Sequence, residues 1–151
     1  MKICFVCHAN VCRSFMAQEL LKKFLKEKGV TDTEIFSRGT LVFSNIQVPQ
    51  KIKNFLKKND IEYTNHTPTL ISKQDLETAD MVFVMTKDMF DELTDKYSQY
   101  SNKIFMLLDY CYGKQKDISD PIHKEGFLFN MAAKSLKQTV KVLADKLTAN
   151  R

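Results

Sequence analysis

The most reactive side chains near the start of the chain lie in the segment CFVCHANVCRS, which runs from Cys4 to Ser14. Cys7 and Cys12 are five residues apart, and Arg13 follows the second cysteine directly. Thiols and a guanidinium at this spacing are compatible with a metal site, a redox site or a loop that binds phosphate. The surrounding sequence decides between these three kinds of site.

Metal binding is the least favoured alternative. Structural zinc sites usually take four Cys or His ligands, supplied as pairs with short spacers. The segment offers three candidates, Cys7, His8 and Cys12, and no second Cys/His pair follows further along the chain. The sequence therefore predicts no metal site.

A phosphate-binding loop fits the position of the segment. The apolar run KICFV (Lys2–Val6) before it is typical of a buried strand, and SFMAQELLKKFLKEK (Ser14–Lys28) after it has the periodicity of an amphipathic helix. A loop that leads from a strand into a helix presents backbone N–H groups and the positive end of the helix dipole to an anion. We therefore expect this loop to hold a phosphate dianion.

The reactive groups of the loop fit phosphoryl transfer. Cys7 would be a thiolate near the helix N-terminus, and a thiolate is a strong nucleophile. Arg13 carries a planar fork of N–H groups that matches two phosphate oxygens. Ser14 would donate a hydrogen bond to the thiolate while capping the helix. These residue types indicate covalent catalysis on a phosphoryl group.

Short apolar strands alternate with amphipathic helices along the rest of the chain. Strands are predicted at Lys2–Val6, Glu34–Thr40, Asp80–Met85 and Lys103–Leu107. Helices are predicted at Ser14–Lys28, directly after Pro49, at Ser72–Ala79 with Ser72 as N-cap, at Lys87–Tyr97 and at Phe127–Leu147, and a polar loop is predicted over Asp109–Pro121. The alternation predicts an α/β fold with a four-stranded parallel sheet and helices on both faces. Ligands of such folds bind beyond the carboxyl ends of the strands, where the phosphate-binding loop lies between the first strand and the first helix.

Composition limits the classes of protein to which the chain can belong. Its 151 residues, 44% hydrophobic and 27% charged, predict one globular domain over residues 1–151. The net charge of +5 comes from lysines scattered along amphipathic helices, so no nucleic-acid partner is expected. No stretch approaches the roughly 20 apolar residues of a membrane span, and no targeting segment is visible. We therefore expect a cytoplasmic protein with reduced cysteines and no membrane partner.

The loop FVCHANVCRS resembles the active-site loop of the low-molecular-weight protein tyrosine phosphatases, whose pattern is V-C-x-G-N-x-C-R-S. The resemblance extends over nearly the whole chain. Further similar segments are SRGT (Ser37–Thr40), HTPTL (His66–Leu70), ADMVFVM and SDP (Ser119–Pro121). The resemblance implies a single phosphatase domain and a cysteine-dependent enzyme that hydrolyses phosphotyrosine without a cofactor.

The resemblance also assigns roles to individual residues. Cys7 would attack phosphorus and form a phosphocysteine intermediate, and Asp120 would act as general acid and then as general base. Arg13 would be the phosphate clamp. The phosphate-binding residues would be His8, Ala9, Asn10, Val11, Cys12, Arg13 and Ser14.

Supporting residues follow from the same resemblance. Asn10 tolerates the left-handed backbone that the loop needs, and in the family the matching Asn is held by residues that correspond to His66 and Ser37. Ser14 would support the thiolate. Cys12 could form a reversible disulfide with Cys7 under oxidation, or it could be a small packing residue.

The sequence departs from the family pattern at several positions. Ala9 stands where the family has Gly, which would cost about 1–2 kcal/mol if the position needs a positive φ. Phe15 replaces the usual Pro. Ile122 stands where many members have the Tyr that forms one wall of the substrate slot, and Phe43 aligns with the opposite wall. A slot with one aromatic wall would hold a phenyl ring loosely.

Substrate choice depends on few residues. Val11 favours phosphotyrosine, because the phosphoarginine-specific branch of the family has Thr at that position. The expected partners are a phosphotyrosine-containing protein or peptide or a small aryl phosphate, with phosphate as product and inhibitor.

Three alternatives share the loop and the fold. A phosphoarginine phosphatase is disfavoured by Val11. A thioredoxin-coupled arsenate reductase needs two further cysteines after the third strand, where this sequence has none before Cys111. A phosphotyrosine- or phosphate-binding module without turnover remains open because of Ala9 and Ile122.

Overall fold

A parallel sheet forms the centre of the molecule. The computed structural model describes residues 1–63 and 65–149. Within them the sheet has four strands in the order β2-β1-β3-β4, and every neighbouring pair is parallel. The strands are β1 (Lys2–Cys7), β2 (Glu34–Gly39), β3 (Met81–Val84) and β4 (Ile104–Met106). The predicted four-stranded parallel sheet is confirmed, and each strand lies within a residue or two of its expected bounds.

Helices connect the strands. They are α1 (Arg13–Glu27), α2 (Gln50–Lys58), α3 (Lys73–Thr78), α4 (Lys87–Lys96), α5 (Leu107–Tyr112) and α6 (Gly126–Thr148), and a 3-10 helix covers Ser98–Lys103. α1 packs on α6, on β1 and on β2, and α5 packs on α6. No helix in the described ranges is long and apolar enough to cross a membrane.

The central strand β1 is buried on both of its faces. Ile3, Cys4, Phe5 and Val6 are all fully buried, and successive side chains of a strand point to opposite faces of the sheet. Phe5 begins a row of aromatic rings that crosses to β3 and β4, with ring centroids 5.7 Å and then 5.9 Å apart. A strand that is covered on both faces has a continuous run of apolar residues in its sequence. KICFV shows this pattern from Ile3 onward.

The cap predicted at Ser72 is confirmed. Its side chain accepts a hydrogen bond from the backbone N–H of Asp75, and the Asp75 carboxylate accepts one from the Ser72 N–H. This reciprocal pair is a capping box, which satisfies two N–H groups that the helix itself leaves free. It allows the six-residue helix α3 to start at a defined point before β3.

The polar loop predicted over Asp109–Pro121 is wrong in its first part. Residues up to Tyr112 form α5, which buries Leu107 and Cys111 one turn apart and ends at Gly113 in the left-handed conformation. A left-handed glycine after the last helical residue is a common helix end. The rest of the segment is non-helical, and Ile118 fixes it to the sheet through its N–H, which donates to the carbonyl of Met85.

Candidate active site

The loop between β1 and α1 lies at the carboxyl end of the sheet. Cys7 is the last residue of β1, and Arg13 is the first residue of α1. The chain after β2 supports the loop, because Thr40 N donates to the carbonyl of Cys7 at 2.9 Å and Leu41 N donates to that of His8 at 3.0 Å. The loop therefore has the position predicted for it, between the first strand and a helix N-terminus.

Gly39 allows this close approach of β2 to the loop. A Cβ atom at that position would collide with the carbonyl oxygen of His8 and would lie 2.8 Å from Cγ2 of Val42. Only glycine fits without a shift of the backbone. Gly39 was not predicted as a site residue, although it lies within SRGT near the end of a predicted strand.

The Cys7 thiol is buried and contacts one polar side chain. Its Sγ lies 2.9 Å from Oγ of Ser14, and Ser14 Oγ accepts a hydrogen bond from Asn10 Nδ2 at 2.9 Å. Since Asn10 supplies the proton of that second bond, the Ser14 hydroxyl is free to donate its own proton to the sulfur. The sulfur is thus placed to be stabilised as an anion.

The capping role predicted for Ser14 is wrong. α1 begins one residue earlier, at Arg13, with Cys12 at the cap position and no side chain bonded to the free N–H groups. Ser14 is completely buried in the first turn, and its hydroxyl is turned toward Cys7 instead. Uncapped N–H groups at this helix end leave donors available to an anion.

Arg13 is held in place from two sides. It is only 5% exposed, its Nη1 donates to the carbonyl of Ile118 at 2.9 Å, and its Nη2 lies 3.4 Å from Oδ2 of Asp120. The other oxygen of Asp120 accepts the N–H of Ile122 at 3.0 Å. The late segment with Asp120 and the early loop with Cys7 and Arg13 are therefore brought together, as the sequence analysis expected.

Cys12 lies beside the same carboxylate. Burial raises the pKa of the Cys12 thiol, and the nearby carboxylate of Asp120 raises it further. Cys12 is accordingly a protonated thiol at neutral pH. The two cysteines of the loop thus differ in their surroundings, because Ser14 contacts Cys7 whereas a carboxylate lies near Cys12.

Asn10 holds the loop in shape. Its backbone has φ of 60° and its side chain is fully buried. Nδ2 donates to the hydroxyls of Ser14 and Ser37, both at 2.9 Å, and Oδ1 accepts the N–H of Thr69 at 3.0 Å. The predicted contact between Asn10 and Ser37 is present, and Thr69 is a further partner that sequence reasoning missed.

Ser37 and His66 complete the support around Asn10. Ser37 donates to Oε1 of Gln18 at 2.6 Å. The carbonyl of Asn10 lies 2.6 Å from Nε2 of His66, and because a carbonyl only accepts, the proton must be on Nε2. Gln18 was not anticipated, since a polar residue within an amphipathic helix is ordinarily expected on the solvent side.

Phe15 packs behind His66. The two rings are stacked with centroids 4.1 Å apart, and Tyr63 meets Phe15 edge-on at 5.1 Å. Burial lowers the pKa of His66, which keeps the imidazole neutral at physiological pH. The departure from the family pattern at Phe15 thus provides the surface on which this histidine rests.

The strain expected at Ala9 is absent. Among the described residues, positive φ values outside glycine occur at Asn10, Asn45 and Asp60, and Ala9 is not one of them. The left-handed step of the loop falls on Asn10, one residue later. Alanine is therefore tolerated at this position of the loop.

The two expected walls of the substrate slot lie on separate segments. Phe43 follows Thr40, which contacts Cys7, and its side chain is 57% exposed. Ile122 is half-buried and follows Asp120 by two residues. His8 is also exposed, with Nδ1 2.9 Å from Oγ1 of Thr40. Each segment contacts the phosphate loop, the first through Thr40 and the second through Asp120.

Asn10→Ala should cost much more stability than Asn45→Ala. Both asparagines have a positive φ, near 60°, so each change adds the same strain of about 1–2 kcal/mol. Only Asn10→Ala also leaves buried partners unsatisfied, at about 1–3 kcal/mol for each group. Urea denaturation should show a further loss of at least about 2 kcal/mol for Asn10→Ala.

Inorganic phosphate provides a second readout for the same pair. Millimolar phosphate should raise the Tm of the wild type and of Asn45→Ala, and it should leave Asn10→Ala nearly unchanged. Equal costs for the two variants, with equal stabilisation by phosphate, would show that Asn10 does not shape the loop.

Comparison with known proteins agrees with the loop and the sheet. The family that matches residues 2–151 is described as low molecular weight phosphotyrosine protein phosphatase. The match covers nearly the whole chain, so the chain belongs to this family of phosphoric monoester hydrolases.

Individual relatives include two kinds of phosphatase. The protein-arginine-phosphatase of Bacillus subtilis (strain 168) is 27% identical over 152 residues, which span 100% of this chain and 99% of that protein. The low molecular weight protein-tyrosine-phosphatase PtpA of Staphylococcus epidermidis is 27% identical over 136 residues, 88% of this chain and 87% of that one.

A solved relative shows where phosphate is attached in one such protein. It is a cysteine-to-serine mutant of the YwlE arginine phosphatase, with a phosphorylated active-site serine. It matches this chain with a TM-score of 0.91 and 26% identity, over 100% of this chain and 98% of that one. The fold observed here is therefore shared with enzymes of this family.

Proposed function

We propose that the protein hydrolyses phosphotyrosine through a phosphocysteine intermediate, with Cys7 as nucleophile. The observation that carries the proposal is the 2.9 Å contact between Cys7 Sγ and Ser14 Oγ inside a loop that opens a helix. A sulfur held by a hydroxyl donor, beside uncapped N–H groups, is suited to an anionic nucleophile that attacks a bound phosphoryl group.

The substrate phosphate is bound by the loop and by Arg13. The backbone N–H groups between His8 and Ser14 form a nest for the equatorial oxygens, and the guanidinium of Arg13 supplies charge-assisted hydrogen bonds. Charge spread over these oxygens in the transition state is stabilised by the same donors. The donors are positioned before the substrate arrives, because Ile118 and Asp120 already orient the guanidinium.

The reaction takes place in two steps. In the first, Cys7 Sγ forms a bond to phosphorus, the bond from phosphorus to the tyrosine oxygen breaks, and Asp120 donates its proton to the departing oxygen. In the second, Asp120 accepts a proton from water, the water oxygen bonds to phosphorus, and the sulfur–phosphorus bond breaks. Phosphate leaves, and the thiolate returns to its hydrogen bond with Ser14.

The substrate is a phosphotyrosine-containing protein or peptide, and small aryl phosphates are accepted as well. Phe43 supplies the aromatic wall of the slot, and Ile122 supplies an aliphatic one. Phosphate, as a product that fits the same nest, also acts as an inhibitor. The four cysteines are all free thiols, which is consistent with work in the reducing cytoplasm.

Cys7→Ser should abolish turnover of a phosphotyrosine peptide. The wild type should remain active in EDTA, because Arg13 and the N–H nest supply the positive field that the reaction needs. Cys111→Ser is the matched control, since it makes the same chemical change at another buried cysteine, in α5. Phosphate release measured for the wild type, Cys7→Ser and Cys111→Ser tests whether Cys7 is the nucleophile. A wild type that binds the peptide tightly without turnover would instead be a binding module.

The role of Asp120 is tested in the same assay. Asp120→Ala should lower kcat by about 10²–10⁴, which is the usual value of general acid–base help, and the loss should shrink for substrates with good leaving groups. Asp117→Ala is the control in the same segment, because that carboxylate accepts the N–H of Lys87. Equal effects of the two changes would exclude Asp120 as the acid.

A phosphoarginine substrate is the second candidate, because a relative of similar identity is a protein-arginine-phosphatase. Val11 lies in the phosphate loop and supports phosphotyrosine. We expect the wild type to have a higher kcat/KM for a phosphotyrosine peptide than for the matching phosphoarginine peptide. Val11→Thr should bring these two kcat/KM values closer together. The reverse ranking in the wild type would assign the arginine activity to this chain.

Oxidation should inactivate the enzyme reversibly. Peroxide converts the Cys7 thiolate to a sulfenic acid, and the protonated thiol of Cys12 condenses with it to give a disulfide and water. Dithiothreitol should then restore activity in the wild type and in Cys111→Ser, but not in Cys12→Ser. Mass spectrometry that finds Cys7 sulfonic acid in the wild type at low peroxide would rule out this protection.

A further inference from the structure

Three large apolar side chains stand exposed beside the phosphate loop. Leu41 is 56%, Phe43 57% and Leu70 56% exposed, and we refer to these three residues as the apolar platform. Apolar groups exposed together beside a binding site commonly mark a surface that another molecule covers. Phe43 has been considered above as a wall of the slot, Leu41 lies two residues before it, and Leu70 lies on the neighbouring segment that pairs with Gly39.

Backbone contacts fix both leucines next to the residue that follows the nucleophile. Leu41 N donates to the carbonyl of His8 at 3.0 Å. Leu70 pairs with Gly39 in a parallel bridge, and Gly39 packs directly against that same carbonyl. Any polypeptide that delivers a phosphorylated side chain to Cys7 therefore lies beside the platform.

The segment with Leu70 is also held rigidly. Thr69 N donates to Asn10 Oδ1, Thr69 carbonyl accepts Gly39 N, and Ile71 N donates to the carbonyl of Gly39. The leucine between them is accordingly presented on fixed backbone. A preformed apolar surface loses little conformational entropy when it is covered.

Charge around the platform identifies the kind of partner. Residues 39–50 and 63–71 contain no Asp, Glu, Lys or Arg, although such residues make up 27% of the chain. An acidic peptide or an anionic membrane surface would be matched by lysines or arginines here. A rim without charged residues that exposes Leu41, Phe43 and Leu70 instead fits an uncharged apolar segment.

We propose that the apolar platform binds an apolar side chain adjacent to the phosphorylated residue of the substrate protein. The phosphate loop binds the phosphoryl group, which all substrates have in common. Leu41 and Leu70 distinguish one substrate from another by the residues that flank the phosphorylated side chain. This inference rests on the phosphatase function proposed above, since the platform acts on a polypeptide already held at Cys7.

Binding to a Cys7→Ala protein tests the platform without phosphoryl transfer, because alanine has no group that can accept the phosphoryl group. Two fluorescent phosphotyrosine peptides are compared, one with leucines flanking the phosphotyrosine and one with serines. The leucine peptide should bind about tenfold more tightly, which corresponds to about 1.4 kcal/mol. With Leu41→Ser and Leu70→Ser added, the ratio of the two affinities should fall to about one.

The control makes the same kind of change on another exposed apolar surface. Leu128 and Met131 of α6 are 59% and 54% exposed, and Leu128→Ser with Met131→Ser should leave the ratio at about ten. Each ratio is taken within one protein, so a general change in phosphate affinity cancels.

The other outcomes overturn the proposal in distinguishable ways. Tight but equal binding of both peptides would overturn the platform and leave the phosphatase function standing. Phosphopeptides that bind no better than their unphosphorylated copies would remove the proposed function and the platform with it. Concentration-dependent dimers in sedimentation, lost with Leu41→Ser and Leu70→Ser, would assign the surface to a second copy of this chain.

Discussion

The buried amide of Asn10 is the interaction on which the site depends. It bonds at once to the first turn of α1 through Ser14, to β2 through Ser37, and to the segment before α3 through Thr69. These bonds stabilise a left-handed backbone step that the loop requires. Without them the N–H groups of the loop would not converge, and Ser14 would lose the donor that leaves its own proton free for Cys7.

A second constraint joins the early loop to the late segment that carries Asp120. Cys7 and Arg13 lie near the start of the chain, whereas Asp120 lies late in it. Arg13 connects them, because one side of its guanidinium binds the Ile118 carbonyl and the other faces the Asp120 carboxylate. The carboxylate of this ion pair is partly exposed to solvent, so the pair contributes little to stability. Its main effect is to hold Arg13 and Asp120 next to each other. Burial of Arg13 and its bond to Ile118 keep the guanidinium in a single orientation.

The features that could be predicted from the sequence are those that depend on a pattern of neighbouring residues. The buried strand KICFV and the helical pattern after it were enough to predict a phosphate-binding loop that contains Cys7. Asp120 was assigned to the same site only because the late Asp-Pro pair resembles that of a known family. Gln18 and Thr69 were missed because their contacts join positions far apart in the chain, which no local spacing reveals. α5 was missed because a six-residue helix contributes only one buried pair, too few positions to show a period.

The partners of Asn10 are spread widely along the chain. Ser37 lies 27 residues away, His66 lies 56 residues away and Thr69 lies 59 residues away. Contacts between such distant positions close large loops, and closing a large loop costs conformational entropy. The thiol and its support are thus assembled only once β2 and the segment before α3 have docked. The shape of the phosphate loop is therefore a property of the folded chain and not of the loop sequence alone.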